Sequence, residues 1–165
     1  MKTGSDKFMD KKEFKKLTTK VYEEYGFVKK GKLYYLDLPD VLICSGFNTI
    51  NTVLFLAFTF RIKAIHQNEG IILNDMFEGF DSIQTKICLD RNVKGYRSHE
   101  ICSGKYTEEE WRAKLTPALH YYFDPFKIDA FTHIKRAFLE IGYVEEGNII
   151  MLKPNARNFL GVRRD

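Results

Sequence analysis

The feature that most constrains the fold is a stretch of alternating side chains over residues 52–65. Apolar side chains recur there at every second position, at Leu54, Leu56, Phe58, Phe60 and Ile62. Because successive side chains of a β-strand point to opposite faces, this spacing predicts one long strand with an apolar face. Thr59, Arg61 and Lys63 occupy alternate positions, so we expect the other face of this strand to meet solvent.

Similar runs before and after this strand predict a sheet. The predicted strands cover residues 32–38, 41–47, 52–65, 83–89 and 148–152. Pro39-Asp40 separates the first two runs as a turn signal, whereas residues 91–106 allow either a loop or a short edge strand. Since short turns join the early strands, we expect an antiparallel meander with the strand at 52–65 in its centre.

Three amphipathic segments predict helices. They cover residues 11–25, 107–124 and 129–141. Gly26 follows the first segment where a left-handed residue commonly ends a helix. Thr107 and Glu110 form a capping-box pattern, Asp129 is a plausible N-cap, and Pro117 predicts a kink or a fresh helix start. The pattern predicts an α+β fold, an antiparallel β-meander of about five strands with about three helices packed on one face.

The predicted core combines the apolar face of the long strand with the apolar stripes of the helices. It contains Phe14, Leu17, Val21, Leu54, Leu56, Phe58, Phe60, Trp111, Leu115, Leu119, Ile134 and Phe138. A chain of 165 residues is an ordinary length for one domain. We expect a flexible N-terminus over residues 1–10, a single α+β domain over 11–153 and a C-terminal tail over 154–165.

Cysteine usage and hydropathy give expectations about location. The chain has 3 cysteines and no CxxC pair, which argues against a disulfide framework and fits a reducing compartment. The N-terminus has no apolar signal segment, and the most apolar run, residues 53–60, is too short to span a bilayer. We therefore expect a cytoplasmic protein without a membrane partner.

Two segments, residues 22–36 and 138–152, resemble each other. Each reads as the end of a helix, a glycine, an aromatic residue, valine, a charged pair, a second glycine and an apolar strand. One interpretation is two related halves around a shared site. The other, which we favour, is that corners joining a helix to a strand through glycine converge on this pattern.

Motifs of the common enzyme classes are absent from the sequence. There is no phosphate-binding loop, dinucleotide-binding glycine pattern, HExxH or GxSxG. His99 near Cys102 is better explained by a loop with a small buried thiol, and Asp75, Glu78 and Asp81 by a solvated acidic loop. The sequence thus predicts no catalytic residue, no metal site and no cofactor, and it leans away from an enzyme without deciding the question.

Two groups of basic residues are candidates for binding. Arg61 and Lys63 are placed by the alternation at the open face of the sheet, where with His66 they form a candidate anion site. The nucleic-acid candidates are Lys12, Lys16, Lys29 and Lys30. Clustered lysines attract phosphates, and the net charge of +4 permits such a partner. Neighbouring glutamates dilute this positive field, so nucleic-acid binding is not favoured.

The first helix and the strand after it carry a family resemblance. Residues 14–37, FKKLTTKVYEEYGFVKKGKLYYLD, combine an amphipathic helix, the pattern G-F-x-[KR]-[KR]-G and an aromatic-rich strand. Over residues 11–65 this resembles a bacterial family known only as domain of unknown function 4304. The matching residues are Phe14, Leu17, Gly26, Phe27, Lys29, Lys30, Gly31 and Tyr34. Families of this kind include proteins resembling immunity partners of bacterial toxins, so the resemblance implies a protein partner and no catalytic residues.

Three functional hypotheses follow. The favoured one is an uncharacterised bacterial protein that acts as a non-enzymatic protein-binding module, of an immunity type or from a mobile element. The alternative is a small-molecule-binding domain or enzyme that uses the open face of the sheet. The second alternative is a weak nucleic-acid binder that uses the lysine-rich first helix.

Overall fold

The computed structural model describes residues 7–67, 80–90, 100–102, 104–139 and 151–162. The helices are α1 Lys11–Tyr25, α2 Glu108–Leu139 and α3 Pro154–Leu160, and a 3-10 turn covers Lys63–His66. The strands are β1 Val28–Lys30, β2 Leu33–Asp37, β3 Val41–Ile50, β4 Val53–Ile62 and β5 Thr85–Lys86. The fold is α+β, as predicted.

The sheet is an antiparallel meander, since its strands lie side by side in chain order from β1 to β5. β3 and β4 pair along their full lengths, and Asn51 and Thr52 join them with φ angles of 50° and 67°. Two positive φ values are typical of the tight hairpin turn that matches strand twist. The prediction missed the short edge strand β1, so β3 rather than β4 holds the middle position.

One face of the sheet packs against all three helices. The Phe58 ring lies 5.0 Å from the Phe123 ring of α2, and Ala156 and Leu160 of α3 belong to the same buried cluster. Of the predicted core residues, Leu54 is partly buried and all the others are buried. The predicted core and the packing of the helices on one face are therefore confirmed.

The opposite face of the sheet is not open, contrary to the prediction. Thr59 is 0% exposed and Arg61 is 6% exposed. A second apolar cluster lies on this face and contains Leu33, Tyr35, Leu42, Cys44, Phe55, Ala57 and Phe80. The first half of β4 is apolar at both sets of positions, which indicates burial on both faces. The threonine and arginine that follow obscured this signal.

α2 consists of two helical segments that join at a bend, in agreement with the two helices that were predicted. It continues through Pro117 and Pro125 and departs from helical geometry at Asp129, which has φ −158° and ψ 96°. The Asp129 carboxylate accepts bonds from the backbone N–H of Thr132, at 3.1 Å, and from its hydroxyl, at 2.8 Å. Asp129 therefore caps the second segment as predicted, although the break expected at residues 124–125 does not occur.

The two ends of the chain are more ordered than expected. Near the N-terminus, the backbone N–H of Met9 donates to the carbonyl of Tyr106 at 2.9 Å. At the other end, residues 154–160 form α3, which ends at Gly161 with φ 66°. The sequence predicted only a tail here, because two buried positions in seven residues give a weak periodic signal. Residues 1–6 and the second copy of the internal resemblance, except its ends, lie outside the described residues.

No described helix is both long and apolar enough to cross a membrane.

Candidate functional site

A surface groove with two phenylalanines is a candidate site in the described part of the chain. We call it the aromatic groove, and it has a volume of about 290 Å³. Its lining residues come from three places: the β2–β3 turn, the 3-10 turn, and helices α2 and α3. They are Pro39, Asp40, Lys63, Ala64, Gln67, Phe131 and Phe159.

The aromatic wall is built where α2 and α3 meet. Phe131 lies two residues beyond the bend at Asp129, so the new helical segment sets its position. In α3, Ala156 and Leu160 are buried, which leaves Phe159 on the outer side with 46% of its surface exposed. The two rings contact each other with centroids 5.7 Å apart. The two rings form a small apolar patch at the surface, in which Phe131 is partly buried and Phe159 is half exposed.

The opposite wall is polar and held by backbone bonds. The backbone N–H of Lys63 donates to the carbonyl of Asp40 at 3.0 Å, which fixes the 3-10 turn beside the β2–β3 turn. The Lys63 ammonium forms an ion pair with the Asp37 carboxylate. The Asp40 side chain is exposed and makes no hydrogen bond or ion pair within the described structure. This wall therefore presents one neutralised cation and one carboxylate that is not neutralised.

A buried carboxylate, Asp81, links the supports of both walls. It is 2% exposed, and it accepts hydrogen bonds from the Ile62 backbone N–H at 2.6 Å and from His66 Nε2 at 2.8 Å. Its own carbonyl accepts from the backbone N–H of Lys153, the residue that precedes α3, at 2.8 Å. The expectation that Asp81 belongs to a solvated loop is therefore wrong; Asp75 and Glu78 lie outside the described residues.

We expect Asp81→Asn to lower the free energy of unfolding by about 1–3 kcal/mol, because one of two buried acceptor oxygens is replaced by a donor. Urea denaturation followed by circular dichroism measures the loss. Asp37→Asn is the control, since its carboxylate is 69% exposed and its ion pair contributes little. Equal, small effects of the two substitutions would contradict a positioning role for Asp81.

The predicted anion site does not form as expected. Lys63 lines the aromatic groove, but Arg61 is buried and His66 is bonded to Asp81. The Lys63 ammonium and the His66 ring each lie against a carboxylate at close range. Such pairing removes the uncompensated positive charge that an anion requires, so these three residues do not make a convergent anion site.

The four nucleic-acid candidates are exposed, but they lie on two different elements. Lys16 of α1 lines a larger groove of about 550 Å³ between α1 and α2, together with the cations of Lys20 and Arg112 and the carboxylates of Glu13, Glu108 and Glu109. The positive and negative charges of this groove balance, so it offers no net attraction for phosphates. Lys29 and Lys30 belong to β1, an edge strand, where lysines commonly prevent pairing with other sheets. The charge distribution therefore does not favour a nucleic-acid site.

A polar cluster joins α1 to α2 at a third place. The Tyr25 hydroxyl donates to Asp124 at 2.6 Å, and His120 Nδ1 lies 3.0 Å from the same carboxylate. The Tyr25 bond lowers the pKa of Asp124, and burial followed by this bond raises the pKa of Tyr25. The Lys127 ammonium lies 3.9 Å from the centre of the Tyr25 ring. Since these groups bind one another, the cluster stabilises the contact between α1 and α2.

The residues considered for catalysis do not assemble in the part of the chain described. Cys44 is buried, and Cys88 and Cys102 are partly buried free thiols. His99, the suggested partner of Cys102, lies outside the described residues. Among the residues that the structure describes, no three His, Cys, Asp or Glu side chains are grouped to hold a metal ion.

Sequence reasoning missed Asp40, Phe131 and Phe159 as site residues. A signal was available for Phe159, because Pro154 can start a helix in which Ala156 and Leu160 share one face and Phe159 does not. Comparison with protein-family models, curated proteins and solved structures gives no match to this chain. The geometry of the aromatic groove is therefore the basis for inferring a function.

Proposed function

We propose that this chain is a non-enzymatic protein-binding module that receives a partner's side chains in the aromatic groove. The observation that carries the proposal is the exposed contact between the Phe131 and Phe159 rings. Aromatic side chains are enriched at the energetic centres of protein interfaces. The resemblance of residues 11–65 to families that include immunity-type proteins supports the same function.

A further exposed apolar side chain lies on α2. Ile128, just before the bend at Asp129, is 85% exposed. A partner that also covered Ile128 would remove more apolar area from water, which favours association.

The size of the groove favours a protein over a small molecule. Pockets for drug-sized ligands usually enclose about 300–1,000 Å³ and bury most of the ligand. The aromatic groove is near the lower limit, at about 290 Å³, and half-exposed Phe159 forms one wall. It can surround one or two side chains of a partner, but it offers little enclosure for a separate small molecule.

Site-specific crosslinking tests the proposal. Benzoylphenylalanine placed at Phe159 is expected to give one dominant adduct with one protein after irradiation in native cells. The same group at Phe8, which is 55% exposed, is the control and is expected to give no such adduct. No adduct at Phe159, or the same set of adducts at both positions, would contradict the proposal.

We expect Phe159→Ala to weaken binding of the crosslinked protein by about 30-fold or more, which corresponds to about 2 kcal/mol at an interface centre. The fold should be little affected, because half of this side chain already meets solvent. Calorimetric titration measures the affinity, and thermal denaturation checks the fold. Phe8→Ala should leave the affinity unchanged, whereas equal losses in both variants would argue against the groove.

A further inference from the structure

We infer that the aromatic groove binds a cationic side chain of the partner, an arginine, with its guanidinium against Asp40 and its plane on the phenylalanine rings. This inference rests on the proposed function, because it names the chemistry that the same groove recognises. The occupant follows from the charges and the ring faces that line the groove.

The charge of the groove favours a cation. Asp40 and Lys63 are the charged residues that line the groove, and the Lys63 ammonium already pairs with Asp37, which lies outside the lining. Asp40 is therefore the lining charge that has no counter-ion in the described structure. Lys135 is one helical turn beyond Phe131 on α2, but it does not line the groove. A neutral apolar side chain would leave the Asp40 carboxylate partly desolvated without compensation.

The rings add a second attraction for a cation. The face of a phenylalanine ring carries negative potential, so a cation within about 6 Å of its centre is stabilised. The chain uses this interaction elsewhere, since Lys86 Nζ lies 5.1 Å from the Phe55 ring centre. In the groove, Phe131 and Phe159 are tilted by 60° to each other and offer two adjoining surfaces.

Arginine fits this combination better than lysine. A guanidinium is planar and can stack on a ring while its N–H groups donate to a carboxylate. An ammonium is a compact, strongly hydrated charge that gains less from a flat ring face. The carboxylate and the rings line one groove, so a single guanidinium can contact both.

Two model compounds test the inference without the partner. N-acetyl-arginine methylamide and its uncharged isostere, N-acetyl-citrulline methylamide, are titrated into the full chain and followed by amide nuclear magnetic resonance. The arginine compound is expected to shift the signals of Asp40, Ala64, Phe131 and Phe159, and to bind about fivefold more tightly than the citrulline compound. Equal binding of the two compounds, or shifts confined to other residues, would overturn the inference.

Two substitutions separate the contribution of the Asp40 carboxylate to arginine binding from that of the phenylalanine rings. Asp40→Asn should abolish the preference for arginine over citrulline, and Phe159→Leu should weaken arginine binding while it keeps an apolar wall. Glu23→Gln, an exposed carboxylate on α1, is the matched control and should change neither result. An unchanged preference in Asp40→Asn would overturn the assignment of Asp40.

The failures of the two proposals can be told apart. A crosslinked partner at Phe159 together with equal binding of the two compounds would retain the protein-binding function and refute the arginine. Preferential arginine binding in the groove without a crosslinked partner would retain the cation site and refute the protein-binding function.

Discussion

Replacing Trp111 with alanine is expected to lower the free energy of unfolding by about 3–5 kcal/mol, the largest loss for any substitution considered. The side chain is fully buried, and its ring centre lies 4.6 Å from that of Phe14 and 5.1 Å from that of Tyr106. Its Nε1–H donates to the Thr18 hydroxyl at 2.9 Å. Removing it leaves a cavity between α1 and α2 that the surrounding rings can fill only in part.

Urea denaturation followed by circular dichroism measures this loss, because the chain has 1 tryptophan and the variant has no tryptophan fluorescence. Trp111→Phe is the matched variant, since it keeps an aromatic ring but removes the hydrogen bond to Thr18. It should cost less than half as much as the alanine variant. A loss below about 1 kcal/mol in Trp111→Ala would show that this position is not part of the core.

Acidification from pH 6.5 to pH 4 is expected to remove up to about 3 kcal/mol of stability through His133 alone. Burial, with a smaller contribution from the positive charge of Arg136, lowers the pKa of His133 from 6.5 to about 4 in the folded chain. Between these values the unfolded chain binds a proton that the folded chain does not. Stability therefore falls as the pH falls through this window, and the histidine contribution is complete above it.

Urea midpoints at pH 7, 5.5 and 4.5 measure this dependence. His133→Gln, which cannot take up a proton in this range, should be less stable at pH 7 but should lose much less on acidification. The pKa values of Asp10, Asp124 and Asp129 are lowered from the ordinary aspartate value of 3.8, so these groups titrate below this window. The same slope in the wild type and in His133→Gln would show that another group is responsible.

The alternation in β4 and the stripes of the helices were sufficient to predict the fold class, the helical face of the sheet and nearly all of the predicted core. These features depend on local periodicity, which a sequence displays directly. The opposite face was predicted wrongly because Thr59 and Arg61 are polar residues at buried positions. Their burial depends on what packs over the sheet, and local periodicity does not contain that information.

The bend in α2 lies at Asp129, where the sequence predicted an N-cap, whereas the helix continues through Pro117 and Pro125. The aromatic groove as a whole could not be predicted, since its residues come from separate segments that lie between Pro39 and Phe159. Only tertiary packing brings the β2–β3 turn next to α2 and α3.

The position of Asp81 has a consequence for how this surface can change. Asp81 bonds the end of β4 and the 3-10 turn through its carboxylate and the residue before α3 through its backbone carbonyl, whereas the Asp40 side chain makes no hydrogen bond or ion pair within the described structure and Phe159 is half exposed. Asp40 and Phe159 can therefore be substituted one at a time while the width of the aromatic groove is conserved. A fold of this kind can acquire a new binding preference without further substitutions that restore its stability.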